Sequence, residues 1–163
     1  MRTAIVYYSL NGNTAFAAKL IAEKLGADLV SVEPEKAYPA KGIKKFFHGG
    51  RSAMKNETPK LKKYRFNADE YERVIIGTPV WASNIAPPLR SFIEENKTAL
   101  NGKKLAAFVC LSGSGAGKAM EKLKACLGID SLEAELALLD PKDKPQEANV
   151  KRIENFCDAL IGC

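Results

Sequence analysis

Residues 4–25 read AIVYYSLNGNTAFAAKLIAEKL: an apolar strand, a short loop of Ser, Asn, Gly and Thr, then an amphipathic helix. A continuous apolar run such as AIVYY suits a strand covered on both faces. Thr14, Ala18, Ile21 and Leu25 then recur at helical spacing, and Gly26 offers the left-handed stop. Between strand and helix, the hydroxyls of Ser9 and Thr14 and the amide of Asn11 stand beside first-turn N–H groups. Those groups have no carbonyl one turn back, and the helix end carries about half a positive charge. Such a loop suits an anion, phosphate above all. A plain helix cap with a tight turn would use the same residues. No Lys or Arg lies between Ser9 and Thr14, so a phosphate here is expected to be held by neutral donors, bound but never transferred.

The alternation continues along the chain. Strands are expected at 4–8, 28–32, 73–77, 105–111 and 132–139. The last alternates Leu132, Ala134, Leu136 and Leu138 with Glu133 and Glu135, so it is placed at an edge with half its side chains in water. Helical patterns fill the gaps. One around 43–54 carries Phe46, Phe47 and Met54, the two phenylalanines expected to pack on the sheet. Another opens on Pro87 and Pro88, where prolines are tolerated. Ala116, Ala119, Leu123 and Leu127 form a stripe that Gly128 stops, and Val150, Ile153, Cys157 and Leu160 form the last. Five βα units in strict alternation imply an α/β fold, an open doubly wound five-stranded parallel sheet with right-handed crossovers. No repeat, linker or low-complexity tract interrupts it, and residues 1–163 are read as a single domain.

Composition narrows the function classes. The chain of 163 residues carries a net charge of +6, and the excess sits in one segment: 41–65 holds nine basic residues against the single acid Glu57. That segment reads as a solvated basic face or a dock for an acidic partner. Binding to nucleic acid or another anionic surface is the remote alternative, supported by no recognised motif. Cys110, Cys126, Cys157 and Cys163 show no C-x-x-C spacing and read as reduced thiols. With no charged-then-apolar leader and no apolar run long enough for a bilayer, a cytoplasmic protein without a membrane span is expected. One histidine, His48, cannot build a His-based metal site and is expected at the surface.

In doubly wound sheets the ligand sits beyond the carboxyl ends of the strands, where strand order reverses. Three loops leave those ends: 9–13, 78–85 and 112–117. All are rich in small, hydrogen-bonding or aromatic residues. The second, GTPVWASNIAPP, holds the only tryptophan, Trp81, a flat platform for a planar ring, with Ser83 and Asn84 able to meet ring heteroatoms. The third, SGSGAGK, is no working nucleotide-hydrolysing loop: Ser112 stands where the first glycine is required, and Ala119 where the metal-binding hydroxyl is. Its glycines also miss the G-x-G-x-x-G spacing of dinucleotide folds.

Together these residues resemble the flavodoxins, specifically the short five-stranded kind, over essentially the whole chain. Ser9-Leu10-Asn11-Gly12-Asn13-Thr14 matches their S/T-x-x-G-N-T loop, and G-x-P-x-W follows the third strand. The resemblance implies non-covalently bound FMN and strand order 2-1-3-4-5. It implies that Ser9, Leu10, Asn11, Gly12, Asn13 and Thr14 hold the phosphate. Pro79, Val80, Trp81, Ala82, Ser83 and Asn84 would flank the isoalloxazine, Trp81 stacked or edge-on. Ser112, Gly113, Ser114 and Gly115 would present backbone groups to the pyrimidine edge. The turn 81–84 would supply a carbonyl to ring atom N5, with Asn84 the residue best able to turn there. The implied function is electron transfer with a reductase or iron–sulfur partner. The alternative is an FMN-dependent NAD(P)H:quinone-type oxidoreductase acting on a small quinone-like acceptor. Monomer and homodimer both stay open, and no catalytic residue or metal ligand stands out. Two departures bear on this choice: residues 111–117 contain no second aromatic, and the chain is basic where electron-shuttling flavodoxins are usually acidic. With few acids expected near the flavin, its second reduction step should be less negative than in acidic relatives.

Overall fold

The computed structural model describes residues 1–39 and 43–162, with the backbone alone for 43–47. Along the chain run β1 (Thr3–Tyr7), α1 (Asn13–Leu25), β2 (Asp28–Ser31), α2 (Ile43–Met54), β3 (Arg73–Trp81), β4 (Asn84–Ile85), α3 (Pro87–Leu100), β5 (Lys104–Leu111), α4 (Ala116–Leu127), β6 (Glu135–Leu139) and α5 (Glu147–Ile161). Five strands are parallel in the order β2-β1-β3-β5-β6, and β4 pairs antiparallel with the end of β3. Counting only the parallel strands, this is the expected 2-1-3-4-5 sheet. Strand β4 is additional and only two residues long, too short for any periodic signal.

The apolar runs alternate between two cores, because successive strand side chains face opposite ways. Ile5, Ile75 and Phe108 point to one face and pack with Ile21 of α1 and with Ile153 and Phe156 of α5. Val6, Ile76 and Val109 point to the other and meet Leu89, Phe92 and Ile93 of α3 and Leu123 of α4. Each such side chain, fully buried, contributes roughly 1.5–3 kcal/mol. Gly77 leaves room for the Phe108 ring, since a Cβ there would lie 2.3 Å from it. Gly26 and Gly128 end α1 and α4 in the left-handed conformation, as their positions predict.

Two strands depart from expectation. β3 runs on to Trp81, because Thr78 and Pro79 still face β5 and Val80–Trp81 gain β4 as a partner. β6 begins only at Glu135, and Glu133 is not a water-facing strand residue. Arg73, buried at the start of β3, donates from Nε and Nη2 to the two carboxylate oxygens of Glu133 at 2.6 Å, and from Nη2 to the Leu160 carbonyl at 2.8 Å. The pair ties β3 to the approach to β6 and to the last turn of α5. Cys110 and Cys157 are buried free thiols and Cys126 is half-buried, whereas Cys163 lies outside the described residues. His48 is exposed, and the packing expected of Phe46 and Phe47 also falls outside the described residues. Among the described residues, no helix is long and apolar enough to cross a membrane, and no cluster of His, Cys, Asp or Glu could hold a metal.

The Arg73 guanidinium holds the Glu133 carboxyl below its ordinary value of 4.5. The pair's stabilisation is therefore fully present above that value and is lost as pH falls through the lower folded-state pKa. Glu133→Gln is expected to cost about 3 kcal/mol near neutrality, because it leaves a buried guanidinium without its carboxylate. The deficit should shrink when urea unfolding is repeated near pH 3; an equal deficit at both pH values would refute the assignment.

Candidate functional site

The loop between β1 and α1 turns on Gly12, whose φ of 94° is left-handed and whose missing side chain leaves α1 without a cap. Its N–H donates to Ser9 Oγ at 3.1 Å, and its carbonyl accepts from the Phe16 N–H at 2.9 Å. The first-turn donors of α1 thus stand uncapped at the helix's positive end. Thr14 is buried beneath them.

The loop after β3 closes as a two-residue hairpin. Val80 pairs with Ile85 and Trp81 with Asn84, leaving Ala82 (φ 50°) and Ser83 (φ 55°) in the turn. Hairpin turns of this form prefer Asn-Gly, because each central residue is left-handed. A residue bearing Cβ costs about 1–2 kcal/mol there. Surrounding contacts impose the shape. The Ala86 N–H donates to Thr78 Oγ1 at 2.9 Å. Ser83 packs so tightly on Gly115 that a Cβ on that glycine would stand 2.5 Å from Ser83 Oγ. Asn84, buried, donates from Nδ2 to the Ala53 carbonyl at 2.8 Å and to Asn56 Oδ1 at 2.9 Å. Trp81 is wedged edge-on between Tyr8 and Tyr38, with ring centroids at 5.6 and 5.1 Å. Its ring also lies against Gly49 of α2, where a Cβ would meet it at 3.2 Å.

A cavity of about 650 Å³ opens where these loops meet the one after β5, a size suited to a cofactor. Ser9, Leu10, Asn11, Asn13 and Thr14 line it from the first loop, Pro79, Val80, Trp81 and Ala82 from the hairpin, and Ser112, Gly113 and Ser114 from the third. Four expected residues do not line it. Gly12 shapes the first loop, Ser83 and Gly115 hold hairpin and α4 together, and Asn84 locks the hairpin onto the end of α2. Asn84 is therefore a structural residue here, not one facing ring heteroatoms, and the left-handed positions fall on Ala82 and Ser83 instead.

Other lining residues come from segments that carry no motif. Gly50, Arg51 and Met54 of α2 form a wall, and Cys110 and Leu111 add the end of β5. Burial pushes the Cys110 thiol up to about 12; the Thr14 hydroxyl draws it down and Asp140 raises it further, so it stays protonated. Asp140, just past β6, brings a carboxylate where few acids were expected. It is buried, left-handed (φ 39°), accepts from Ser112 Oγ at 2.5 Å and pairs with Lys144 at 3.1 Å. Asn13 turns its amide away from the first loop. Its Oδ1 accepts from the backbone N–H groups of Lys142 (2.8 Å) and Asp143 (3.2 Å), and its Nδ2 donates to Asp143 Oδ2 at 2.8 Å. The same turn brings the Lys142 side chain over Gly12. These partners lie some 130 residues away in sequence, and a short-range pattern gives no sign of them.

The model of one protein family, flavodoxin, matches residues 2–148. The chain belongs to the flavodoxin family. Among solved structures, this flavodoxin-family chain is similar to a protein of Bacteroides eggerthii DSM 20697 classed as a flavoprotein, at 25% identity and TM-score 0.75 over 98% of each chain. It is similar to the flavoprotein of Lactobacillus acidophilus NCFM in complex with FMN, at 22% identity and TM-score 0.71 over 87% of this chain and 95% of that one. The two-electron reduced flavodoxin of Megasphaera elsdenii shares the fold at 17% identity and TM-score 0.63, over 99% of each chain. No curated protein sequence matches significantly.

The left-handed turn yields a test. Ala82→Gly is expected to raise the stability of the flavin-free protein by about 0.5–1 kcal/mol, relief of the left-handed strain outweighing the added freedom of the unfolded chain. Urea unfolding measures it. A loss of about 1 kcal/mol, as for glycine placed in regular structure, would contradict the strained hairpin.

Proposed function

We propose that this flavodoxin-family chain binds FMN without a covalent link and carries electrons between partner proteins. The observation that supports it most is the convergence of three loops on one cavity. One brings an uncapped helix N-terminus, one a fixed tryptophan, and one small residues beside a buried carboxylate. The donor set fits the group: hydroxyls and free N–H groups for a phosphate, an indole for a planar ring, and open backbone for a polar ring edge. When bound, FMN supplies the redox chemistry. The protein's part is to bind and orient it. Ser9, Asn11 and the first turn of α1 take the phosphate, and Leu10, Val80 and Leu111 exclude water. Trp81, immobilised by Tyr8, Tyr38 and Gly49, would offer the ring a fixed platform, and the Ser112–Asp140 hydrogen bond keeps the third loop in place.

A second reading, an FMN-dependent NAD(P)H:quinone-type oxidoreductase, draws on the α2 wall. Arg51 and Met54 border the cavity, and the loop after β5 contributes no aromatic to it. They leave a cation beside space a small acceptor could use. The basic segment suits an acidic redox partner. Lys60, at least, is engaged within the chain, 3.1 Å from Glu35.

Steady-state oxidation of NAD(P)H by the FMN-loaded protein separates the two. A carrier is expected to turn over slowly alone, and rapidly only when an NADPH-dependent flavin reductase is added with a terminal acceptor. Rapid turnover without the reductase would overturn the carrier assignment in favour of the oxidoreductase.

A further inference from the structure

We infer that Lys142, on the loop between β6 and α5, supplies a cationic partner to the FMN phosphate and makes this site selective for the phosphorylated flavin. The inference rests on the FMN reading above. It departs from the expectation that neutral groups alone hold the phosphate.

Three observations bring the Lys142 side chain to the first loop. Asn13 spends its whole amide on the loop, accepting from the backbone N–H groups of Lys142 and Asp143 and donating to the Asp143 carboxylate. The loop is thereby pinned to the first turn of α1. The Lys142 stem lies across Gly12, its Cε 3.1 Å and its Nζ 3.7 Å from where a Cβ on that glycine would stand. A larger residue at position 12 would displace it. Lys144 is already paired with the buried Asp140. Lys142 is therefore the lysine of this loop placed to act on an anion in the turn 9–14. Its ammonium pairs with Asp143 Oδ1 at 2.6 Å, in a half-exposed setting.

This arrangement sets the signs. A phosphate in the first loop attracts Lys142 and is repelled by Asp143, which also competes for the ammonium. A neutral residue at 142 should weaken phosphate binding, and a neutral residue at 143 should strengthen it. A purely mechanical clamp would behave otherwise, since losing either side of the clamp would loosen the loop. One charge beside a partly exposed anion is worth about tenfold in affinity, and added salt should screen it.

Riboflavin carries the same ring without the phosphate and serves as the internal control. Fluorescence titrations with FMN and with riboflavin, at low and high salt, would compare the unaltered protein with Lys142→Met, Lys142→Arg and Asp143→Asn. Methionine keeps an apolar stem over Gly12, so packing is retained while charge is lost. The expected result is an FMN affinity lowered about tenfold in Lys142→Met, restored in Lys142→Arg and raised in Asp143→Asn, with riboflavin affinity unchanged throughout. The Lys142→Met effect should fade at high salt. An unchanged FMN-to-riboflavin ratio in Lys142→Met, or an equal loss for both ligands, would overturn the role of Lys142 and leave the FMN reading standing. Equal affinity of the unaltered protein for FMN and riboflavin would overturn the FMN reading itself, and this inference with it.

Discussion

The first-turn N–H groups of α1 require acceptors, and Gly12, the residue that should cap them, has no side chain to offer one. Much of the molecule serves that unmet requirement. β1 sits inside the parallel sheet between β2 and β3, so its carboxyl end, and the start of α1 with it, is fixed in space. Ile21 and Ala18 anchor the helix on the sheet, and Asn13 fastens its first turn to the loop after β6. A hydroxyl or carboxylate cap at position 12 would occupy one of those donors and compete with an external anion. Glycine leaves them open.

The second wall follows a similar principle. Ala82 and Ser83 hold left-handed conformations that neither prefers, and the strain is offset by Thr78, by the Asn84 clamp on α2 and by the contact between Ser83 and Gly115. Trp81 stands beside this hairpin, fixed by two tyrosines and the bare backbone of Gly49. Both the hairpin and the indole are thus held from behind. A preorganised pocket of this kind loses little freedom on binding, which favours a cofactor kept through many cycles.

The fold was largely legible from local pattern, and the chemistry of the rim only partly. Unbroken apolar runs in β1, β3 and β5 and helical stripes ending in Gly26 and Gly128 are short-range signals, and they predict the sheet, its helices and the three site loops. The hairpin escaped because Ala82-Ser83 is not turn-forming chemistry; only tertiary contact makes it turn. Asn84 looked like a polar group for a ligand but answers to Ala53 and Asn56. Arg51 and Asp140 reach the cavity, and Lys142 the backbone of Gly12, through long-range packing, and each brings charge to a region that looked neutral from its own loops. Glu133 seemed a solvated strand residue until Arg73, sixty positions earlier, appeared beside it.

The central claim, that one phosphorylated flavin spans all three loops, is tested most directly by amide chemical-shift mapping. Adding one equivalent of FMN to isotope-labelled, flavin-free protein should shift the amides of 9–14, 79–82 and 112–114 together, in slow exchange, with the Trp81 indole moving alongside them. Shifts confined to the basic stretch around Lys60 and Arg65, or scattered over the surface in fast exchange, would contradict the account.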